Sequence, residues 1–346
     1  MEGLSMSDAY LGIDVGSIST NIVAIDRQGG VLSEQYVRTN GQPLECVKKG
    51  LRFLKDELPG INIAGVGTTG SGRQLAGILT GADIVKNEIT AHATATVNLY
   101  PDVRTIFEIG GQDSKIILIK NQLVVDFAMN TICAAGTGSF LDHQAERLKI
   151  PIEKFGELAL SSNKNVRIAG RCTVFAESDM IAKQQFGFTK ADIIKGLCNA
   201  LVRNYINNLG RGKLLEPPFV FQGGVAANRG IVAAFEEEMG FPVIVPPHFS
   251  VMGAIGAALL AKEHLENSGL KTKFAGFDAA DMEITPGTFQ CNDCSNNCEV
   301  IEVTSEGKAI ARWGDKCGKW TNSVIKSGAK GHKNPRPLVD VVSPVG

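Results

Sequence analysis

The sequence has no excess charge of either sign, few aromatic residues and no long apolar run. Its 35 Lys and Arg are balanced by 36 Asp and Glu, and aromatic residues make up 6% of the chain. A net charge near zero removes the electrostatic basis for a nucleic-acid or membrane-surface partner. The longest apolar stretch, Val251 to Ala261, is far shorter than the ~20 residues of a membrane-spanning helix. We therefore expect a globular protein that binds neither nucleic acid nor membrane.

The N-terminus also lacks the features of a secretory signal. Residues 1–10 contain Glu2 and Asp8 and have neither a basic start nor an apolar core. We therefore expect a cytoplasmic location, where the eight cysteines are thiols, metal ligands or catalytic groups rather than disulfides. The 346 residues suffice for about two domains, and the 39 glycines exceed the usual share of ~7%.

Short strands joined by tight turns occur twice in the first 130 residues. The pattern predicts strands at 10–15, 21–26 and 31–37, and again at 105–109, 114–120 and 123–128. Helical periodicity follows each set. A repeat of this kind, at a separation of roughly 95 residues, predicts an α/β fold built from two related lobes, each with a mixed β-sheet and flanking helices.

The predicted organisation is one large domain followed by a small extension. Lobe I spans about 8–100 and is completed by a helix at about 251–265, whereas lobe II spans about 101–250. Residues 266–290 have no periodicity and are predicted to be a linker. Residues 291–320 form a Cys-rich extension, and 321–346, rich in Gly, Lys and Pro, are expected to be a flexible tail.

Two predicted hairpins carry glycine-rich loops that are suited to phosphate. The first loop comprises Asp14, Gly16, Ser17, Ile18, Ser19 and Thr20, and the equivalent second loop comprises Gly110, Gly111, Gln112, Asp113 and Lys115. Glycines allow close backbone approach, N–H groups and hydroxyls donate to phosphate, and the Asp carboxylates can hold Mg²⁺ through water. If the bound phosphate is hydrolysed, Gln112 is a candidate for orienting the water molecule that attacks it. Lys115 is a candidate for neutralising phosphate charge. Either loop alone is equally consistent with an ordinary turn, but two at equivalent positions favour a nucleotide.

Two further glycine clusters each precede a predicted helix. Gly136, Thr137 and Gly138 open one helix, and Gly223 and Gly224 follow a strand and lead to the next helix. The first cluster is predicted to be an anion site, because the N-terminus of a helix attracts anions. The second suits close approach of a flat adenosine group to the backbone. Together the four clusters predict a nucleotide held in a cleft between the two lobes.

Two cysteines lie on either side of the Gly136–Gly138 cluster in the sequence. Cys133 and Cys172 are separated in sequence and belong to no CxxC motif. By themselves they are more typical of inert buried thiols. As metal ligands, two thiolates per chain would complete a set of four only across a two-fold axis.

These motifs resemble those of the 2-hydroxyacyl-CoA dehydratase activator and benzoyl-CoA reductase ATPase family, within the acetate and sugar kinase/Hsc70/actin superfamily. The resemblance covers about 10–262 and rests on DVGS at 14–17, IGGQDSK at 109–115, CAAGTG at 133–138 and CTVFAES at 172–178. It implies an actin-like ATPase fold of two ribonuclease-H-like lobes that bind ATP or ADP. It also implies a homodimer with one [4Fe-4S] cluster at the interface, held by Cys133 and Cys172 of each subunit. Glu177 and Asn228 are placed near the adenosine by the same resemblance.

The activity implied by the resemblance is ATP-gated electron transfer. Ferredoxin or flavodoxin would reduce the cluster, and ATP hydrolysis would drive the electron into a partner iron–sulfur dehydratase or reductase. Two alternatives remain open at this point: a small-molecule kinase of the same superfamily, and an actin- or chaperone-like ATPase whose cysteines are structural.

The remaining cysteines fall into two groups. Cys291, Cys294, Cys298 and Cys317 include one CxxC pair, a spacing typical of metal ligands, so the extension is predicted to bind Zn²⁺ or a second iron–sulfur cluster. The alternative is an unstructured tail. Cys46 and Cys198 lie on helical patterns and are predicted to be structural.

Overall fold

The computed structural model describes residues 8–130, 134–170 and 172–323. Each lobe contains a five-stranded mixed sheet. The strands of the first sheet are β1 (Asp8–Val15), β2 (Ser19–Ile25), β3 (Val31–Arg38), β4 (Asn62–Thr69) and β5 (Ile84–Val85). They lie in the order β3-β2-β1-β4-β5. The first three strands are antiparallel, whereas β4 is parallel to β1 and β5 is parallel to β4.

The second sheet repeats this topology. Its strands are β6 (Thr105–Ile109), β7 (Ser114–Lys120), β8 (Leu123–Asn130), β9 (Phe219–Gln222) and β10 (Val243–Ile244). Their order is β10-β9-β6-β7-β8, which is the order of the first sheet read from the other edge. The predicted duplication and the two-lobed α/β fold are therefore confirmed.

Helices cover both sheets. In the described ranges they are α1 (Pro43–Glu57), α2 (Arg73–Thr80), α3 (Glu88–Leu99), α4 (Gly138–Leu148), α5 (Phe155–Leu160), α6 (Thr173–Gln185), α7 (Lys190–Leu209), α8 (Arg229–Met239) and α9 (Met252–Ser268). None of these helices is both long and apolar enough to span a bilayer.

Each lobe has its own apolar core. In lobe I the inward side chains of β1 pack with Leu51 and Leu54 of α1. The core of lobe II contains stacked aromatic rings, with the Phe107 and Phe235 centroids 4.7 Å apart. Helix α3 contributes Ile89 to a separate cluster against the strands of lobe II, while it also packs against α9. This double contact makes α3 the element that both lobes share at the floor of the cleft.

The region predicted to be a linker, 266–290, is largely ordered secondary structure. Helix α9 continues to Ser268, a short 3-10 helix covers Phe277–Asp281, and β11 spans Ile284–Gln290. β11 pairs with β12 (Glu299–Ser305), which in turn pairs with β13 (Lys308–Trp313). The end of the supposed linker is therefore the first strand of a small antiparallel sheet.

This three-stranded sheet is docked on lobe I rather than separated from it. Ile284 and Val303 are buried in the same apolar cluster as the core of lobe I. Arg52 of α1 donates to the carbonyl oxygen of Ala280 at 2.8 Å and pairs with Asp281 at 2.9 Å. The chain therefore crosses from α9 to this sheet along the surface of lobe I, because apolar side chains in the supposed linker find partners there.

Backbone packing between α9 and the first sheet is very close. A Cβ placed on Gly12 would overlap the carbonyl oxygen of Ala254, and one on Gly67 would overlap that of Ala257. A backbone carbonyl cannot rotate away as a side chain can. These two glycines therefore set the distance at which α9 closes lobe I.

We predict that Gly12→Ala lowers the free energy of unfolding by about 1–3 kcal/mol, the usual cost of overpacking a core. Gly287→Ala is the matched control, because a Cβ at this exposed position in β11 meets nothing within 4 Å. The control should stay within about 0.5 kcal/mol of the wild type. Denaturant unfolding followed by circular dichroism measures both, and equal losses would contradict the packing argument.

Candidate functional site

The two predicted phosphate loops face each other across the cleft. The first loop joins β1 to β2 and the second joins β6 to β7, so they occupy equivalent turns of the two lobes. A Cβ on Gly111 would stand 2.6 Å from Ile18, which shows how closely the loops approach. The predicted residues that line the cavity between them are Asp14, Gly16, Ser17, Ile18, Ser19, Gly110, Gly111, Gln112, Asp113, Lys115, Gly223 and Gly224.

Thr20 does not belong to this set, although the sequence predicts it as a donor to phosphate. Its side chain is fully buried, and its hydroxyl lies 3.1 Å from the hydroxyl of Thr39. The strand alternation of β2 explains the difference, because successive side chains point to opposite faces.

The N-terminus of α4 serves the second phosphate loop rather than a phosphate. The N–H of Gly138 donates to the carbonyl oxygen of Gly110, and the N–H of Ser139 donates to that of Gly111, both at 2.9 Å. These donors are therefore already used, which corrects the prediction of an anion site at the start of this helix.

Gly136 and Thr137 are also placed away from the cavity. Thr137 is fully buried, and its hydroxyl donates to the carbonyl oxygen of Ala134 at 2.8 Å. Gly136 is buried beside Asn204 of α7. Of the three predicted residues, only Gly138 borders a cavity, the larger one described below.

Lys115 is enclosed by carboxylates. Its side chain is 2% exposed, and its ammonium lies 2.7 Å from Glu88, 3.0 Å from Glu108 and 2.9 Å from Asp113. Burial opposes the charge, but these carboxylates together raise the pKa of Lys115 well above its usual value. The ammonium is thus committed to neutralising acidic groups, which replaces the predicted role of steadying phosphate.

The carboxyl groups at the cleft floor differ in the direction and size of their pKa shifts. Burial favours a higher pKa for Glu88, but the charge and hydrogen bond of Lys115 outweigh it and lower that pKa. Burial raises the pKa of Glu108 to about 8. Burial and the nearby charge of Glu88 raise the pKa of Asp14 to about 7. The cleft floor therefore holds more carboxyl groups than Lys115 alone can pair, an environment that favours a divalent cation.

The residues at this site that were not selected from the sequence include Glu88, His92, Glu108 and Gln222. Glu88 and His92 are spaced i,i+4 on α3 and therefore share a helix face. Glu108 lies just before the Gly110–Gly111 pair and Gln222 directly before the Gly223–Gly224 pair, so the glycines already mark their location. Burial lowers the pKa of His92 to about 3, so its imidazole is neutral.

A second cavity of about 340 Å³ opens beside the phosphate loops. Gly138, Val225 and Asn228 line it, together with Tyr36 from lobe I. The oxygen of the Asn228 side chain caps α8, while its Nδ2 is buried with no hydrogen-bond partner in the described structure. The size, within the usual range for small-molecule sites, and this free donor suit a nucleoside.

Glu177 lies elsewhere. It is on α6 and pairs with Arg147 of α4 at 3.1 Å, and it lines neither cavity. The structure therefore does not place Glu177 beside the cavity that suits a nucleoside, contrary to the prediction.

The segments beside the two predicted cluster cysteines meet at α7. Cys133 itself lies outside the described residues. Cys172 is partly exposed and directly precedes the first turn of α6. Asn204 donates to the carbonyl oxygen of Gly170, and its Oδ1 lies 3.0 Å from the position of a Cβ on Gly136. Gly136, three residues after Cys133, and Gly170, two residues before Cys172, therefore both lie against the side chain of Asn204.

The cysteines of the extension do not form a metal site in the structure. In the part of the chain that is described, no three His, Cys, Asp or Glu side chains are grouped so that they could hold a metal ion directly. Cys291 is buried, with its thiol 3.4 Å from Asp293, while Cys294 and Cys317 are exposed. The CxxC spacing therefore does not gather the four sulfurs, of which that of Cys298 belongs to a partly exposed residue, into a metal site. Cys46 and Cys198 are buried, as expected of structural cysteines.

We predict that stability falls as the pH rises from about 5 to 8 and that Glu108→Gln reduces this fall. The folded protein holds the Glu108 proton up to about pH 8, whereas the unfolded chain releases it near the ordinary value of 4.5. The folded state therefore binds more protons in this window, and each such group can contribute up to about 1.4 kcal/mol per pH unit. Urea unfolding across this range measures the slope.

The exposed Glu237 provides the matched control for that substitution. Glu237→Gln removes a carboxylate of the same type and should keep the wild-type slope. An unchanged slope in Glu108→Gln would contradict the raised pKa of Glu108.

Comparison with known proteins identifies relatives for most of the chain. The model of the BadF/BadG/BcrA/BcrD ATPase family matches residues 11–261. The (R)-2-hydroxyglutaryl-CoA dehydratase activating ATPase of Acidaminococcus fermentans is 36% identical over 263 residues, which cover 74% of this chain and 98% of the relative. The activator of lactoyl-CoA dehydratase of Anaerotignum propionicum is 36% identical over 259 residues, covering 73% and 97%.

A solved structure supports the same relationship. The activator of the 2-hydroxyisocaproyl-CoA dehydratase from Clostridium difficile, with bound ADPNP, superposes with a TM-score of 0.67 at 31% identity. The superposition covers 75% of this chain and 97% of that one. The family match includes both lobes and both phosphate loops but ends before β11. The chain belongs to the BadF/BadG/BcrA/BcrD ATPase family.

Proposed function

We propose that this protein is an ATP-dependent electron-transfer activator of a partner iron–sulfur enzyme, a 2-hydroxyacyl-CoA dehydratase or a related reductase. The relatives named above are activators of such dehydratases. The proposal includes a cytoplasmic homodimer, a ferredoxin or flavodoxin as electron donor, and one [4Fe-4S] cluster shared by the two subunits.

One observation carries this proposal: the phosphate loop is hydrogen-bonded to the segment that follows Cys133. Gly110 and Gly111 line the cleft, and their carbonyl oxygens hold the first N–H groups of α4. A nucleotide that draws this loop toward its phosphates also displaces the start of α4. Such coupling works only through a difference in nucleotide affinity between two conformations.

Within the cleft, we assign the nucleoside to the cavity beside Asn228 and the phosphates to the two hairpin loops. The N–H groups of Ser17 and Ile18 in the first loop and of Gly111 in the second would bind phosphate oxygens, because those of Gly16 and Gly110 donate to carbonyl oxygens within their own loops. Gln112 is exposed to the cleft and can orient a water molecule for attack on the terminal phosphate.

Magnesium fits the same floor. Asp14, Glu108 and Asp113 offer carboxyl oxygens, the ligand type that Mg²⁺ prefers. Because no three His, Cys, Asp or Glu side chains of the described residues are grouped to hold a metal directly, we infer that the ion keeps water and phosphate oxygens as most of its ligands. Bound there, Mg²⁺ would neutralise phosphate charge during hydrolysis.

The cluster also fits the residues that are described. Cys172 directly precedes a helix, and a helix N-terminus favours the thiolate that binds iron. Val174 and Phe175, in the first turn of that helix, are 64% and 65% exposed. Exposed apolar side chains of this size near a partly exposed thiol are suited to an interface between subunits. The cluster would store the electron that the partner enzyme receives.

For the extension, we infer a structural role as an addition to lobe I. Its sheet buries Ile284 and Val303 against the core of that lobe. The predicted Zn²⁺ or second cluster is not part of this proposal, because the four sulfurs are not gathered.

We predict that Cys172→Ser and Cys133→Ser each abolish the iron–sulfur absorption and the EPR signal of the reduced protein. Nucleotide binding should persist, because Cys172 lines neither cavity and the two phosphate loops contain no cysteine. Anaerobic purification followed by iron analysis, EPR and ADP titration measures these properties. A full-intensity cluster signal in either variant would exclude that cysteine as a ligand.

Cys46→Ser is the matched control for these substitutions. Cys46 is buried in lobe I, where its thiol lies 3.5 Å from the carbonyl oxygen of Arg38. This variant should keep both the cluster signal and ATP-dependent transfer of an electron to the partner enzyme. Loss of the signal in this control would mean that cluster loss reflects general damage rather than loss of a ligand.

A further inference from the structure

A line of buried side chains leads from α3 to the carboxylate of Asp14. Gln222, at the end of β9, is fully buried. Its Nε2 lies 3.1 Å from Nδ1 of His92, and its Oε1 lies 3.0 Å from the hydroxyl of Thr96. The amide of Gln222 thus joins two residues that share one face of α3.

The other ring nitrogen of His92 points to the cleft beside Asp14. Nε2 of His92 lies 3.3 Å from the position of a Cβ on Gly253, and Oδ2 of Asp14 would overlap that same Cβ. Both residues also line the cavity between the phosphate loops. Nε2 and the carboxylate are therefore close enough to interact directly or through one water molecule.

Two arrangements of hydrogens are compatible with the positions of these three side chains. In the first, Thr96 donates to Oε1 of Gln222, the amide donates to Nδ1 of His92, and the imidazole proton is on Nε2. In the second, the amide is reversed, Thr96 donates to the carbonyl oxygen of His92 at 2.8 Å, and the proton is on Nδ1. The choice follows from the group that faces Nε2.

The first arrangement is the one that suits the cleft. It presents an N–H to the carboxylate of Asp14, whereas the second presents a lone pair to it. Mg²⁺ binds the ionised form of Asp14. A lone pair facing that ionised carboxylate is repulsive, whereas an N–H facing it is a favourable hydrogen-bond geometry. In the first arrangement the carbonyl oxygen of His92 no longer accepts from the Thr96 hydroxyl. It still has a donor, because the backbone N–H of Thr96, four residues later in α3, can donate to it.

We propose that His92 is a positioning residue for ATP hydrolysis: Gln222 fixes its Nε2–H tautomer, and this N–H holds the Asp14 carboxylate in place. The inference rests on the proposed role of Asp14 in binding the magnesium–nucleotide complex. It assigns a function to two residues, one from each side of the cleft, that carry no phosphate-loop motif.

The pair His92→Gln and His92→Asn tests the proposal. The Gln amide reaches the position of Nε2 and restores a donor toward Asp14, whereas the Asn amide replaces only Nδ1 and keeps the contact with Gln222. We expect His92→Asn to lower kcat for ATP hydrolysis by about 10- to 100-fold and to weaken its Mg²⁺ dependence, the usual effect of losing a residue that orients a metal ligand.

His92→Gln should retain more activity than His92→Asn, and ADP binding in EDTA should be unchanged in both. A purely structural role predicts the reverse order, because Asn preserves the buried contact with Gln222. The reverse order, or equal activities, would overturn the proposal. His143→Gln, at an exposed position on α4, is the control for a loss of histidine.

The tautomer can be measured in the wild-type protein, which covers the case that the variants do not fold. With ¹⁵N-histidine, the signals lost in His92→Gln or, failing that, the titration-resistant imidazole identify His92. A proton on Nε2 supports the proposal, and a proton on Nδ1 overturns it.

Asp14→Asn separates the inference from its premise. If this variant hydrolyses ATP like the wild type, the proposed role of Asp14 fails and the positioning role of His92 fails with it. If Asp14→Asn loses activity while the two His92 variants behave alike, only the inference about His92 fails.

Discussion

The ammonium of Lys115 and the carboxylates around it are the interaction on which the cleft depends. Glu88 comes from α3, whereas Glu108 and Asp113 come from the second sheet and its hairpin loop. An unpaired charge at this depth is costly, so removing the ammonium would leave its carboxylates uncompensated. Because α3 also packs against α9, which closes lobe I, these contacts fix the floor of the cleft relative to both lobes.

The second phosphate loop is also connected to the surface that bears Cys172. The carbonyl oxygens of Gly110 and Gly111 accept hydrogen bonds from the first N–H groups of α4, so the turn is bonded directly to the start of the helix. The segment before α4 contacts Asn204, which also binds the carbonyl oxygen of Gly170 near Cys172. A short path of hydrogen bonds and packed backbone thus joins the second phosphate loop to the segment next to Cys172.

The extension after α9 shows how apolar residues decide where a chain segment goes. The sequence of 266–290 has no periodicity, yet Ala279, Ala280 and Ile284 are buried against lobe I. Their partners are side chains of the lobe itself, so nothing within the segment reveals them. The family match ends at residue 261, so this sheet is an addition to the matched region.

The sequence by itself determined the repeated strands of the two lobes, their duplication and the position of the glycine loops, because these depend on local periodicity and on turn residues. It placed Asp14 and Asp113 at the cleft for the same reason. Only the tertiary structure decided that Lys115 faces carboxylates, that the N-terminus of α4 is already bound, and that His92 meets Gln222. Those pairings join residues from different elements, and they arise because every buried charge and hydrogen-bonding group must find a partner in the packed protein.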